Sequence, residues 1–250
     1  MKYNYRNITV KTHHKMKKST IQEIRERFDN DVERFSNLET GQLSTLDAAI
    51  SLELITESAK RINPQATNVL DIGCGAGNYT LKILSKLPDL NCTLIDLSRP
   101  ILDKAYERVS KNTKGAVKLI QGDIREIMLQ KTHYDIILAG AVLHHLRDDY
   151  DWEFVFSKLF ESLAPGGCLM ISDLIKQDTE VLNDYIREKY GNYLEDVGGN
   201  DYKNKVFDYV KKEDSPRSLN YQLALMKKVG FQKIEILHKN LCVAAYGGIK

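Results

Sequence analysis

A chain of 250 residues, 42% hydrophobic and 28% charged, is long enough for one sizeable α/β domain and has the composition of an ordinary globular protein. Its net charge of +2 gives too weak a field to argue for a nucleic-acid or membrane partner, and no apolar run approaches the ~20 residues of a membrane span. The 4 cysteines lie far apart with no CxxC pair, which speaks against a disulfide framework and a zinc site. Without the apolar stretch of a signal peptide at the start, the expected setting is the cytoplasm.

Residues 1–19, basic around "KTHHKMKK", show no periodicity and read as a flexible arm, with RNA contact as the alternative. Residues 20–250 read as a single domain. Its first part, 20–60, is helical: Ile21, Ile24, Phe28, Val32 and Phe35 recur at helical spacing behind a Thr20–Glu23 capping box. A second helix opens with the same device at Ser44–Asp47 and carries Leu46, Ile50 and Leu54 on one face. After "NPQ" short apolar runs alternate with helices. Strands are expected at "TNVLDI", "CTLIDL", "AVKLIQ", "YDIILAG" and "GCLMISDL", with helices at "SRPILDKAYERVSK" and "DDYDWEFVFSKLFESL". Pro165-Gly166-Gly167 reads as a turn into the fifth strand. Such alternation predicts a mostly parallel sheet with helices on both faces. Residues 174–214 interrupt it as a helical insertion. Ser215-Pro216 then starts a helix that Gly230 ends, and "QKIEIL" and "LCVAAYG", linked by "HKN", form an antiparallel pair.

The stretch "VLDIGCGAGNYT" places a strand, a glycine turn and a helix in the order of a nucleotide-cofactor site. A dinucleotide fingerprint requires glycine where Asn78 stands. Asp71 at the loop mouth opposes a phosphate and suits a cationic ligand. S-adenosylmethionine, with an ammonium and a sulfonium, meets that description. Asp96 ends the second strand, where an acid can take both ribose hydroxyls. Asp123 and Ile124 in "QGDI" follow the third, where they can meet the adenine.

On these motifs the chain resembles the class I S-adenosylmethionine-dependent methyltransferases, from Val69 to the C-terminus. The resemblance implies a Rossmann-like seven-stranded sheet with an antiparallel last strand and residues 174–214 as a lid. It also implies that Asp71, Gly73, Cys74, Gly75 and Gly77 line the methionine end, Asp96 and Leu97 the ribose, Asp123 and Ile124 the adenine, and that Ala139 lies beneath the sulfonium. A closer similarity, carried by "FDNDV", "DLSRPILDKA", "QGDIREI", "LAPGG" and "EDS…LMKKVGF", is to the carboxy-S-adenosylmethionine synthases of tRNA wobble-uridine modification. That family holds an extra carboxylate with an arginine in its insertion, where this chain has Asn204 between Lys203 and Lys205.

For methyl transfer the expected catalytic residue is His144 in "AVLHHLRDDYD", with His145 second, because this segment follows the fourth strand beside the reacting methyl. Asp173 faces the same cavity or caps the insertion, and His238 reads as a surface residue. The insertion aromatics Tyr185, Tyr190, Tyr193, Tyr202, Phe207 and Tyr209 either pack or cover the substrate, and Phe28 and Phe35 close the cofactor pocket. The tetrad of DNA-amine methyltransferases is replaced by Ala139-Gly140-Ala141-Val142. The expected reaction is therefore methyl transfer to a small molecule, with no metal, no membrane partner and no nucleic acid. The alternatives are a tRNA-pathway enzyme (a carboxy-S-adenosylmethionine synthase or an RNA methyltransferase) and a non-catalytic S-adenosylmethionine-binding protein. A dinucleotide oxidoreductase is disfavoured by Asp71 and Asn78. A homodimer is the oligomer expected if there is one.

Overall fold

The structure is a computed structural model and describes residues 17–36 and 43–250. Most of the basic arm and the side chain of Phe35 lie outside the described residues.

Apolar runs such as Val69-Leu70 and Ile136-Ile137-Leu138 form strands buried on both faces, as a parallel sheet between helix layers requires. The strands are β1 (Asn68–Ile72), β2 (Asn91–Asp96), β3 (Val117–Gln121), β4 (Tyr134–Gly140), β5 (Leu163–Leu174), β6 (Lys233–Asn240) and β7 (Val243–Ile249). They make one 7-stranded sheet in the order β3-β2-β1-β4-β5-β7-β6. Neighbours among β1–β5 are parallel, and β7 runs antiparallel to both β5 and β6. This is the Rossmann-like sheet expected from the sequence. Its order reverses between β1 and β4, and the crevice beyond the carboxyl ends there is where such sheets bind ligands.

Side chains alternate between the two faces of the sheet. Val69, Ile136 and Leu138 meet α3 (Ala48–Ile62), α4 (Asn78–Leu84) and α5 (Arg99–Val109). Leu70, Ile72 and Ile137 meet α6 (Asp149–Ser162) and α8 (Leu219–Val229), where Trp152, Phe156 and Met226 are wholly buried. The insertion forms α7 (Glu180–Glu213), kinked at Gly199. Its Tyr190, Leu194 and Val206 pack on Leu46, Cys242 and Val243, which fixes it against the β6–β7 hairpin.

Local chemistry differs from the sequence expectation at several ends. The Thr20–Glu23 capping box forms, but the N-terminal helix breaks after α1 (Ile21–Asp29) and resumes as α2 (Val32–Ser36). At Ser44–Asp47 there is no capping box: Asp47 takes a left-handed conformation and makes no side-chain cap bond. Its carboxylate instead accepts from His238 and Asn240 on β6, each at 2.8 Å. The buried stripe of α3 is accordingly Ser51, Leu52, Ile55, Thr56 and Ala59, and Ile50 is exposed. Pro165-Gly166-Gly167 lies inside β5 as an irregularity in its pairing with β4, because the register jumps from Tyr134↔Leu163 to Ile136↔Cys168. Helix α8 is capped by Ser218, not Ser215, whose amide is already held at 2.7 Å by the carbonyl of His144. "HKN" extends β6, and the hairpin turns at Leu241-Cys242.

Helix α1 is strapped over the end of α7. Arg27 Nε and Nη2 donate to Glu213 Oε1 and Oε2 at 2.8 and 2.5 Å. The Ser19 amide donates to the Lys212 carbonyl at 3.0 Å, and Lys18 Nζ donates to the carbonyls of Lys211 and Asp214. Charge-assisted bonds of this kind contribute roughly 1.5–3 kcal/mol. Glu213→Gln is therefore expected to speed amide exchange across residues 21–29 by about tenfold or more, with β1 and β4 unchanged. Hydrogen-exchange mass spectrometry checks this, and a uniform increase across the sheet would contradict a strap of purely local stability.

Candidate active site

The loop after β1 turns tightly because Gly73, Gly75 and Gly77 hold φ of +61°, +51° and +83°, a region that only glycine enters cheaply. A Cβ at Gly73 would stand 2.4 Å from Val142, so β1 and the segment after β4 approach each other too closely for any larger residue. Gly75 faces open space. Its amide donates to Asp96 Oδ2 at 3.0 Å, and the Ser98 amide donates to Oδ1 at 2.9 Å. Burial outweighs these bonds and pushes Asp96 up to about 6. Asp71 lies deeper, accepts from the Thr80 hydroxyl at 2.6 Å, and is raised by burial to about 7.

A cavity of about 220 Å³ opens over these strand ends. Of the site residues expected from sequence, Gly73, Cys74, Gly75, Asp96, Leu97 and His144 line it, together with His145, Asp173 and Phe28. The others stand behind the wall. Asp71 supports the loop from below. Gly77 caps α4, where a Cβ would meet Val109 at 2.9 Å. Ala139 and Ile124 belong to the core under α6. Burial alone would raise Asp123, but the Arg125 side chain and amide more than offset it and hold the carboxyl below its ordinary range. Arg125 also bonds Asp151 at 2.8 Å, so Asp123 is already paired within the protein.

The other end of the cavity is a histidine–carboxylate cluster. His144 and His145 form a single 3₁₀ turn (Leu143–His145) just beyond β4. Asp173, at the end of β5, accepts from the His144 amide at 3.1 Å and from the Leu174 amide at 2.7 Å, and it also bonds His144 Nδ1. That leaves His144 Nε2 for the cavity. Burial pulls the His144 imidazole down, but Asp173 and Asp214 outweigh it and hold it up at about 9. Burial and the neighbouring His144 push His145 well below the usual histidine range. Asp214 caps the C-terminus of α7 and is raised to about 6, chiefly by burial. Phe28 meets the His145 ring edge-on at 6.2 Å between centroids.

Asp214 has no local signal of a role, although it sits in the "EDS" stretch that carries the resemblance. Arg27 and Arg34 also line the cavity without a local signal, since Arg27 finds its partner 186 residues away. Of the insertion aromatics only Tyr190 and Tyr209 reach the cavity. Tyr193 instead donates to the Leu43 carbonyl at 3.0 Å, and Tyr185 is exposed. Lys203 pairs with Glu195, and neither it, Asn204 nor Lys205 lines the cavity. His238 is the partner of Asp47, away from the site.

The loop fits S-adenosylmethionine better than a dinucleotide. Its cavity wall offers the Asp96 carboxylate, and the nearby Arg108 is turned away onto the Ala76 carbonyl and the Asn78 side chain.

Comparison with known proteins agrees. Residues 69–167 match the methyltransferase-domain family. The chain is 28% identical over 149 residues to the malonyl-[acyl-carrier protein] O-methyltransferase of Priestia megaterium, covering 60% of this chain and 50% of that protein. The same-named protein of Halalkalibacterium halodurans is 34% identical over 124 residues, 48% of this chain and 44% of that one. The chain thus spans about half the length of these relatives. It is 27% identical over 229 residues to the carboxy-S-adenosyl-L-methionine synthase of Wolinella succinogenes, 87% of this chain and 91% of that protein. Among solved structures, the N-methyltransferase NodS of Bradyrhizobium japonicum, in complex with S-adenosyl-L-homocysteine, superposes with a TM-score of 0.61 at 13% identity, covering 89% of this chain and 97% of that one. Human N-acetylserotonin methyltransferase, in complex with S-adenosylmethionine, gives 0.58 at 14% identity, covering 93% and 63%. The sequence match is thus to a methyltransferase domain over residues 69–167, and the fold is the one these solved methyltransferases share.

Asp96 and Asp71 hold a proton more tightly folded than unfolded, so their burial costs stability as pH rises toward about 6 and about 7 respectively. A cofactor held by an ionised Asp96 would reverse that preference. Affinity for S-adenosylhomocysteine is expected to fall about tenfold between pH 7 and pH 5, and Asp96→Asn is expected to bind weakly with a flat profile. Calorimetric titration across that range checks both.

Proposed function

We propose that this protein is a cytoplasmic methyltransferase that uses S-adenosylmethionine to methylate a small-molecule acceptor. The observation that carries this reading is the cavity itself. The glycine loop and Asp96 line one end of it, and the His144–Asp173 pair with Asp214 the other. When bound, S-adenosylmethionine supplies a methyl group already activated by its sulfonium.

The chain's own work is then to bind, orient and exclude water. Asp71 and the Gly73–Gly77 turn serve the methionine end. Asp96 and Leu97 take the ribose. Asp123 and Ile124 support the adenine side from behind the wall, and Ala139 underlies the reacting centre. Asp173 engages His144 Nδ1, so Nε2 is the nitrogen that meets the acceptor's heteroatom; with the imidazole held up at about 9 it is a donor, which orients that atom for in-line attack. Phe28, Tyr190 and Tyr209 cover the acceptor from α1 and α7.

A second reading, synthesis of carboxy-S-adenosylmethionine, is favoured by the 91% coverage of the Wolinella synthase and by Arg27 and Arg34 at the cavity. Mass spectrometry of the small molecule that the purified protein releases on denaturation separates the two. S-adenosylmethionine or S-adenosylhomocysteine supports methyl transfer, whereas a mass raised by one carboxyl group supports the synthase.

His144→Gln is expected to lower turnover of an acceptor found by labelled-methyl screening by about 10²-fold or more. Its affinity for S-adenosylhomocysteine should stay within about twofold of wild type, because the cofactor contacts proposed above lie on the glycine loop and β2. Unchanged turnover would remove His144 from the chemistry.

A further inference from the structure

The cluster around His144 has a feature that methyl transfer alone does not use. Asp214 Oδ1 and His145 Nδ1 are buried without a hydrogen-bond partner, although they lie only 3.4 Å apart. The Asp214 side chain is 2% exposed. His144 Nε2 stands 3.7 Å from the same carboxylate oxygen. All three donor atoms fall within 4.8 Å of one another.

These separations are those of ligands around one small cation. Zinc bonds to imidazole nitrogen and carboxylate oxygen of about 2.0–2.2 Å put neighbouring ligands of a tetrahedron about 3.4 Å apart. The outer contacts agree. Asp173 bonds His144 Nδ1, and the Glu213 backbone faces the His145 ring. Each imidazole presents one nitrogen to Asp214, and Asp173 on the other nitrogen orients the His144 ring as outer carboxylates orient metal-ligating histidines. Nearby positive groups are otherwise engaged. Arg27 is paired with Glu213, Arg147 donates to the carbonyls of Glu213 and Ser19, and Lys18 donates to the carbonyls of Lys211 and Asp214. None of these takes Asp214 Oδ1.

We propose that His144 Nε2, His145 Nδ1 and Asp214 Oδ1 form a binding site for a divalent transition-metal cation, with a coordination position open to the cavity. Two imidazoles and one carboxylate suit zinc and its first-row neighbours, and three protein ligands with an open position are the pattern of a catalytic metal centre. No local motif marks it, because Asp214 lies far along the chain from the two histidines. The proposal rests on the methyltransferase reading only for what fills the open position: the acceptor's heteroatom, with His144 then a ligand and not a hydrogen-bond donor to it.

The test uses the full chain, treated with EDTA and titrated with zinc by calorimetry and with cobalt(II) by visible absorption, without cofactor or acceptor. One equivalent should bind, and the cobalt form should show the intense bands of a four-coordinate centre. Asp214→Asn and His145→Ala, each confirmed folded by circular dichroism, should weaken binding about 100-fold or more. Asp173→Asn, which removes only the outer contact, should weaken it about 10–100-fold. His238→Ala and the double variant His13→Ala/His14→Ala should bind as wild type does. No saturable binding, binding indifferent to Asp214→Asn and His145→Ala, or loss confined to the His13/His14 variant would each overturn the proposal. Methyl transfer is judged separately by cofactor binding and labelled transfer, so failure of either reading is visible without the other.

Discussion

The site depends on carboxylates buried at the carboxyl edge of a parallel sheet. Asp71 ends the apolar run of β1, Asp96 closes β2 and Asp173 lies near the end of β5, and 1–2% of Asp71 and Asp173 remains exposed. Burying a charge is costly unless it is paired or hydrogen-bonded. Each of these acids therefore dictates its surroundings: Thr80 beneath Asp71, the Gly75 and Ser98 amides around Asp96, and the His144 turn on Asp173. The glycine loop and the 3₁₀ turn are held by the same requirement, on either side of the point where the strand order reverses.

Closure of the site is a second consequence. The carboxylates keep one wall of the cavity polar, while Phe28, Tyr190 and Tyr209 bring aromatic surface from α1 and α7. Those helices are joined by the Arg27–Glu213 pair and by backbone bonds from Ser19, and Asp214 follows directly as the cap of α7. The strap, helix α7 and the histidine cluster are thus one connected unit. Loosening α1 exposes the end of the cavity where the acceptor would sit.

Much of this was legible in the sequence. The apolar runs over Val69–Ile72 and Ile136–Ala139, buried on both faces, and the three glycines made the sheet, the loop and the cofactor type readable, because those signals are local and recur along the chain. His144 and Asp173 were legible as candidates from their place at strand ends. The roles of Asp214, Arg27 and Arg34 were not, since each arises from packing an insertion and an N-terminal helix against distant strands. The same non-local pairing misled the reading of Asp47, whose apparent capping role gave way to His238 and Asn240 on β6. Asp123 shows the opposite case: its motif is local, yet Arg125, two residues on, has already claimed its carboxylate.

A crystal structure of the complex with S-adenosylhomocysteine tests the central claim most directly, which is that one cavity holds cofactor and acceptor end to end. The account predicts the ribose on Asp96 and the amino-acid end on the Gly73–Gly77 turn, with the thioether sulfur facing His144 across open space. A ligand bound away from Asp96, or with its sulfur turned from the His144–Asp214 cluster, would contradict it.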